Sequence, residues 1–408
     1  MNLSKLLSNF LNLSSINIVG MLIPILTMPI LSRALDSELF GKVLLYNTIL
    51  QFGFIVVDYS FNYTGSREIA ARLSDRTAKL KIYLDVQACR AVLLISYTLL
   101  IPLIFTILND FDYINTFAFV GIGLAGHWLL SVWYFQGESN LKIVALATIA
   151  ARLCYLLTLV CLVREQQDFD LVIFSNVVPL FLAGLFVCVK SGNSKHYKWH
   201  DIVRACGNIG TNIKSGANVF VGDFAPNLYN NVPMMFIGVT SSGTLFAAYA
   251  VATRICNACV SIQGMMAKAL YPLMVSSKAP RLKFAFLCNI FLSLAVSSTI
   301  YFFAEDIISI LLGPGYDSSI DFIRVAIFGV FFVAIANSFG QGYFLPNKLD
   351  RIFRNISLFV SIVSAIVGGF LLYFYDVWGA VYLLLFARVL FAITYYITYL
   401  YYKDSLHT

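Results

Sequence analysis

The sequence predicts an all-α polytopic membrane protein of twelve transmembrane helices in two six-helix bundles. Three observations carry that prediction. Hydrophobic residues make up 59% of the 408, charged residues only 12%, against roughly 25% charged in an ordinary soluble domain. Apolar runs of about 20 residues recur along the whole chain, each enough to cross a hydrocarbon core of roughly 30 Å at 1.5 Å per residue. Lys and Arg fall almost entirely in alternate loops, as the orientation of membrane helices requires.

The spans are expected at 10–32, 43–64, 84–108, 114–136, 142–163, 169–190, 214–238, 245–275, 283–304, 320–344, 355–375 and 378–401. The first is long and carries Asn12, Ser14, Ser15 and Asn17 without a following small-residue cleavage site, so it is expected to be a retained helix rather than a cleaved leader. With the amino terminus inside, the inner loops hold the basic clusters, such as Arg67, Arg72, Arg76, Lys79 and Lys81, or Lys348, Arg351 and Arg354. The outer loops are acidic, with Asp110, Asp112, Glu165, Asp168, Glu305 and Asp306 among their residues. Both termini are therefore expected in the cytoplasm.

The net charge of +7 follows from these inner loops and does not point to nucleic acid. None of the eight cysteines falls in an outer loop, so no disulfide framework is expected. Cys256 and Cys259 have C-x-x-C spacing inside a span and no companion ligands, which favours packing over metal or redox use. His196 and His200 lie four apart in an inner loop, again with no cluster to complete a metal site. There is no G-x-x-x-x-G-K-[ST] stretch for ATP hydrolysis, and no loop is long enough for a soluble catalytic domain.

The polar loop from Ser191 divides the chain into an amino-terminal bundle, 1–190, a cytoplasmic linker, 191–213, and a carboxy-terminal bundle, 214–408. The first span of each half carries two prolines, Pro24 and Pro29, then Pro226 and Pro233. Paired interruptions of this kind mark transport sites in proteins built from repeats, although a single proline in a membrane helix is also common.

Charges inside the spans are the strongest functional signal. Asp58, Arg90, Arg152, Asp223, Arg254, Lys268, Arg324 and Arg388 all lie within apolar runs, with Arg90, Lys268 and Arg324 near enough to span ends to snorkel. Each central charge costs about 2.5 to 3.5 kcal/mol if it faces lipid, so these must face protein or water. Asn47, Gln51, Asp58 and Asn62 fall on one helical face, as do Asp223, Asn227, Asn230 and Asn231, while Arg254, Ser261 and Lys268 repeat every seven residues. Such stripes line a water-filled cavity or hold the bundle together by interhelical hydrogen bonds. Cations outnumber carboxylates among them, which favours an anionic substrate. Asp58 and Asp223 either pair with arginines or bind a coupling cation.

Two segments resemble a known family. Pro29-Ile-Leu-Ser-Arg-Ala-Leu-Asp-Ser-Glu-Leu-Phe-Gly41 and Asp58-Tyr-Ser-Phe-Asn-Tyr-Thr-Gly-Ser-Arg-Glu-Ile-Ala70 are similar to the amino-terminal signature of Wzx-type polysaccharide flippases, departing from it at Tyr59-Ser60, where Phe-Gly is frequent. Phe135-Gln-Gly-Glu138 and Leu312-Gly-Pro-Gly-Tyr316 extend the likeness weakly. The resemblance implies a member of the multidrug/oligosaccharidyl-lipid/polysaccharide exporter superfamily in the bacterial inner membrane, MATE-like, with its two bundles around a central cavity. It also implies that the substrate is an undecaprenyl-pyrophosphate-linked oligosaccharide repeat unit of O-antigen or a similar surface polysaccharide.

The expected function is translocation of that lipid-linked unit from the cytoplasmic to the periplasmic leaflet by alternating access, with no covalent chemistry. Arg254, Lys268, Arg152 and Arg388 are expected to hold the pyrophosphate and Asn227 and Asn231 the sugars. Asp58 and Asp223 are expected to couple or pair. No cofactor or metal is expected beyond a coupling H+ or Na+. Membrane lipid and neighbouring polysaccharide assembly proteins are the expected partners, and no nucleic acid. The rivals are a small-molecule antiporter of the same superfamily, a membrane polysaccharide polymerase and a scaffolding protein. The cation excess argues against the first for cationic drugs, the short outer loops against the second, and the buried polar stripes against the third.

Overall fold

The computed structural model describes residues 3–109, 112–191, 199–275, 280–347 and 349–402, and among them there are helices and no strands. Contacts divide the chain into two compact units, Met1–Phe224 and Ala225–Thr408.

The first unit holds α1 (Leu3–Ala34), α2 (Ser37–Asp58), α3 (Thr64–Ala70), α4 (Arg76–Asn109), α5 (Tyr113–Leu130), α6 (Val132–Gly137), α7 (Lys142–Leu162), α8 (Phe169–Ser191), α9 (Trp199–Gly207) and α10 (Ile209–Phe224). Side-chain caps set several starts. Asp36 accepts the Leu39 N–H at 2.8 Å to open α2, and Asp112 accepts that of Ile114 at 2.9 Å to open α5. Asp168, in the loop before α8, accepts from the backbone N–H groups of Arg164 and Glu165, and these bonds hold its carboxyl below the usual carboxylate range.

Two of these membrane helices stop at the same kind of break. After α2, Tyr59 takes φ 55°, and between α5 and α6, Ser131 takes φ 45°, both non-glycine residues at positive φ. The short helices that follow, α3 and α6, pack together: a Cβ on Gly137 would lie 2.7 Å from the Ile69 Cβ, and one on Gly65 would lie 2.8 Å from the Trp133 ring. Trp133 is wholly buried there, with Tyr83 stacked at 6.0 Å and Tyr134 edge-on at 5.9 Å.

The second unit holds α11 (Asn227–Thr240), α12 (Gly243–Val275), α13 (Pro280–Phe302), α14 (Ala304–Leu312), α15 (Asp317–Phe339) and α16 (Asp350–Tyr402). The 53 residues of α16 would measure about 80 Å as one straight helix, far beyond one crossing. They break at Asp376, with φ 45°, and a Cβ on Gly368 would meet Leu383 at 2.6 Å, so the chain folds back there into two spans. α13 and α14 meet at 66°. Buried amides tie the helices across the unit: Gln263 donates to Ser293 at 2.7 Å and Asn289 to Ser338 at 3.0 Å.

Each of the twelve expected spans is largely helical, with 43–64 leaving α2 at Asp58, 214–238 shared between α10 and α11 and the last two spans merged in α16. Among the described residues eight helices are long and apolar enough to cross a membrane, or nine with the bent α13–α14 pair.

Two expectations differ from what the contacts and helices show. The units part between Phe224 and Ala225, not in a linker at 191–213, of which 192–198 lie outside the described residues. The stretch 209–224 packs with the first unit because Tyr59 Oη donates to the Ile213 carbonyl at 3.1 Å, Ser60 Oγ to that of Gly216 at 3.2 Å, and the Tyr59 ring stacks on Phe220 at 4.2 Å. The two residues that depart from the flippase signature thus make this clasp. Lastly, the paired interruption holds in one half only: α1 runs through Pro24 and Pro29 unbroken, whereas 214–238 breaks at Ala225–Pro226. Pro226, lacking an N–H, starts α11 rather than continuing α10.

Candidate functional site

The first unit is organised around the carboxylate that the sequence left unexplained. Asp58 is the last residue of α2, where the helix dipole disfavours a negative charge. Three donors hold it: Arg90 Nη2 of α4 at 2.9 Å, His127 Nε2 of α5 at 2.9 Å and Asn62 Nδ2 at 2.8 Å. Because a carboxylate accepts, the proton of this bond sits on His127 Nε2. The imidazole is also stacked on Phe54, ring centroids 4.3 Å apart.

The break at Ser131 explains why the arginine is there. The last carbonyls of a helix lack partners within it. Those of His127 and Trp128 accept from Arg90 at 3.3 and 3.1 Å, and Trp128 O also accepts from Gln87 Nε2 at 3.1 Å. Gln87 Oε1 in turn accepts from Arg90 Nη1 at 2.9 Å, and the Trp128 indole donates to the Gln87 carbonyl at 3.1 Å. Arg90 is 1% exposed, so it does not snorkel as its position near a span end suggested. A second polar chain in the same unit runs from Arg152 on α7 to Asn176 on α8, at 2.9 Å, and on to Asn47 on α2. Asp223, near the end of α10, is exposed and accepts from the Tyr63 hydroxyl.

The second unit buries a cation differently. Arg388, on the second half of α16, is 5% exposed and donates from Nη2 to Asn257 Oδ1 at 2.9 Å and from Nη1 to the Ala326 carbonyl at 3.5 Å. Cys256, Cys259, Tyr229 and Tyr249, all neutral groups, lie near the guanidinium. Among the described residues no carboxylate pairs with it. Gly329 on α15 makes the room, since a Cβ there would lie 2.7 Å from Arg388 Cδ. Asn257 itself is exposed, and Arg254, three residues earlier on α12, is half-buried. Cys256 and Cys259 are packing neighbours of the guanidinium and are both buried.

The expected substrate residues are divided between the two units. Asn227 and Asn231 come together on α11, the Asn231 amide donating to Asn227 Oδ1 at 2.6 Å, and Tyr229 on the same helix lies near Arg388. Arg152 is in the other unit, bound to Asn176. Lys268 lies in α12 by its backbone, and its side chain is outside the described residues. The break at Pro226 also divides the expected stripe of Asp223 and Asn227 to Asn231. Arg324 pairs with Glu305 at 2.8 Å. His127, Gln87 and Asn257 were not singled out in the sequence. The signal for His127 was available, as a histidine inside an apolar run.

Apolar helices long enough to cross a membrane, enclosing a buried ion pair and a separate buried cation, have the build of a membrane transporter. The chain belongs to the family described as "Polysaccharide biosynthesis protein", whose model matches residues 6–278. It is 22% identical over 379 residues to the "Putative O-antigen transporter" of Escherichia coli (strain K12), covering 90% of each chain. A protein of the same description from Shigella dysenteriae is also 22% identical, over 94% of this chain and 97% of its own. In fold it is similar to the lipid II flippase MurJ in an inward closed conformation, with TM-score 0.71 at 12% identity over 94% of this chain and 86% of that one. An inward-facing multidrug MATE transporter of the MOP superfamily aligns with TM-score 0.66 at 13% identity over 98% of both chains. The relatives are named as transporters, in accord with the expectation that the chain is not an enzyme.

Proposed function

We propose that the protein is a flippase in the bacterial inner membrane, with both termini cytoplasmic. It carries undecaprenyl-pyrophosphate-linked oligosaccharide repeat units, of O-antigen or a related polysaccharide, from the cytoplasmic to the periplasmic leaflet by alternating access. The observation that carries this reading is Arg388: a buried guanidinium with no carboxylate partner among the described residues, in a family of polysaccharide biosynthesis. A buried charge without a counterion is costly to keep, and a pyrophosphate supplies the missing anion. Arg254, Lys268 and Arg152 are the further cations assigned to the anionic headgroup, and Asn227 and Asn231 the amides assigned to sugar hydroxyls.

Asp58 and His127 are the groups assigned to coupling. Protonation of the Asp58 carboxylate would release Arg90 and His127 together, and an imidazole in contact with it is a natural proton carrier. That arrangement favours H+ over Na+, because the carboxylate is already taken by three nitrogen donors. Asp223, bound by Tyr63, is assigned a pairing role. Neighbouring polysaccharide assembly enzymes are the partners that would supply and consume the lipid-linked unit.

The test is translocation of a fluorescent polyprenyl-pyrophosphate oligosaccharide in proteoliposomes under an imposed proton or sodium gradient, with protein-free vesicles as the baseline. Translocation accelerated by the proton gradient supports the reading. Acceleration by sodium alone removes the proton assignment. No translocation by folded protein removes the flippase.

A further inference from the structure

A groove of about 710 Å³ runs along the outside of the first unit between α7 and α8. Small residues make its floor: Ala147 and Ala151 on α7 and Ala183 on α8, all buried. Its rims are large and open to the surroundings, with Leu146 60%, Leu182 57% and Phe186 56% exposed. Cys154 and Pro179 close its far end. The groove is thus a concave, almost wholly apolar trough on a surface that faces hydrocarbon.

Its two ends differ in charge. At the near end stand Asn140 and Lys142, and Lys190 lies one turn beyond Phe186 on the same face of α8. Lys142 and Lys190 are exposed and form no ion pair among the described residues. The neighbouring carboxylate, Glu138, is already taken by Lys79 at 2.8 Å and by the Tyr134 hydroxyl at 3.0 Å, so it does not neutralise them. From Lys142 to Cys154 the helix rises about 18 Å, close to the depth of one leaflet of a roughly 30 Å core.

The geometry points to a binding site for one anionic phospholipid of the leaflet on the Lys142 side. An acyl chain lies in the trough over Ala147, Ala151 and Ala183, and the phosphate sits against Lys142, Lys190 and the Asn140 amide. Basic residues at the cytoplasmic ends of membrane helices recognise anionic headgroups in this manner, each worth about 1 kcal/mol, or about fivefold in affinity. The site belongs to the first unit alone and does not depend on what the protein transports.

Native mass spectrometry of the full chain, titrated with phosphatidylglycerol and with phosphatidylcholine of equal chain length, tests it. The expected result is one tightly held phosphatidylglycerol, weakened about fivefold in Lys142→Gln and lost in Ala150→Trp, which fills the trough from an exposed position. Equal retention of the two lipids, or unchanged phosphatidylglycerol binding in Lys142→Gln, would overturn the site. Ready displacement of phosphatidylglycerol by a polyprenyl phosphate would also overturn it, in favour of a prenyl chain as occupant. Should Ala150→Trp fail to fold, the surface substitution Lys142→Gln still decides.

Discussion

Asp58 and Arg90 form an ion pair whose members differ in burial, Arg90 being 1% exposed and the Asp58 side chain 18%, and a hydrogen bond from His127 joins it. Breaking one side of a buried pair costs about 3 to 5 kcal/mol, because the remaining charge is stranded, whereas replacing both sides with apolar groups is often neutral. Arg90→Ala should therefore unfold well below the wild type in a thermal melt in detergent. The double variant Arg90→Met with Asp58→Leu should recover most of the loss, and equal melting of the single and double variants would contradict the pairing. Arg388 predicts the reverse. Among the described residues it has no counter-charge to strand, so Arg388→Met should leave the melting temperature unchanged or raise it, and a loss of several degrees would show that the guanidinium supports the fold. Asp58 was legible in the sequence as a charge that needed a reason. Its partners were not, because helical periodicity places residues on a face and says nothing of which helix comes next to it.

At the scale of elements, the family signature turns out to be largely packing. Gly137, in the Phe135-Gln-Gly-Glu138 stretch, lies against Ile69 and the Ser66 carbonyl, and Glu138 holds Lys79. Gly137→Ala should cost about 1 to 3 kcal/mol by overpacking this α3–α6 contact, measured as a fall in melting temperature. Wild-type stability in that variant would mean that α6 can move aside. In Leu312-Gly-Pro-Gly-Tyr316 the glycines at 313 and 315 take φ 78° and 93°, which turns the chain from α14 into α15. The twelve spans were legible because about 20 apolar residues leave few alternatives to a helix. The break at Asp376 was legible too, falling between the expected spans 355–375 and 378–401, but those at Tyr59 and Ser131 were not, since neither falls at glycine or proline and both lie inside expected spans.

Over the whole molecule, the alternation of basic and acidic loops predicts the topology. A single cysteine introduced at Asp75, in a background without native cysteines, should react with a membrane-impermeant maleimide only after the cytoplasmic face is opened, and one at Gln167 should react in intact spheroplasts. The reverse pattern would invert the protein in the membrane. The division into bundles was legible only in outline. A polar loop marked a plausible boundary, but the contacts made by Tyr59, Ser60 and Phe220 assign α10 to the first unit, and such long-range contacts leave no periodic trace in the chain.

The central claim is that a buried, unneutralised arginine serves an anionic lipid-linked saccharide. Its most direct test compares wild type and Arg388→Gln for outer-leaflet delivery of a polyprenyl-pyrophosphate oligosaccharide in proteoliposomes, with both proteins equally folded by thermal melt. The account predicts transport by the wild type and a loss of at least about tenfold in the variant, the weight of one charge-assisted contact of about 1.4 kcal/mol or more. Equal transport by the two proteins would contradict it.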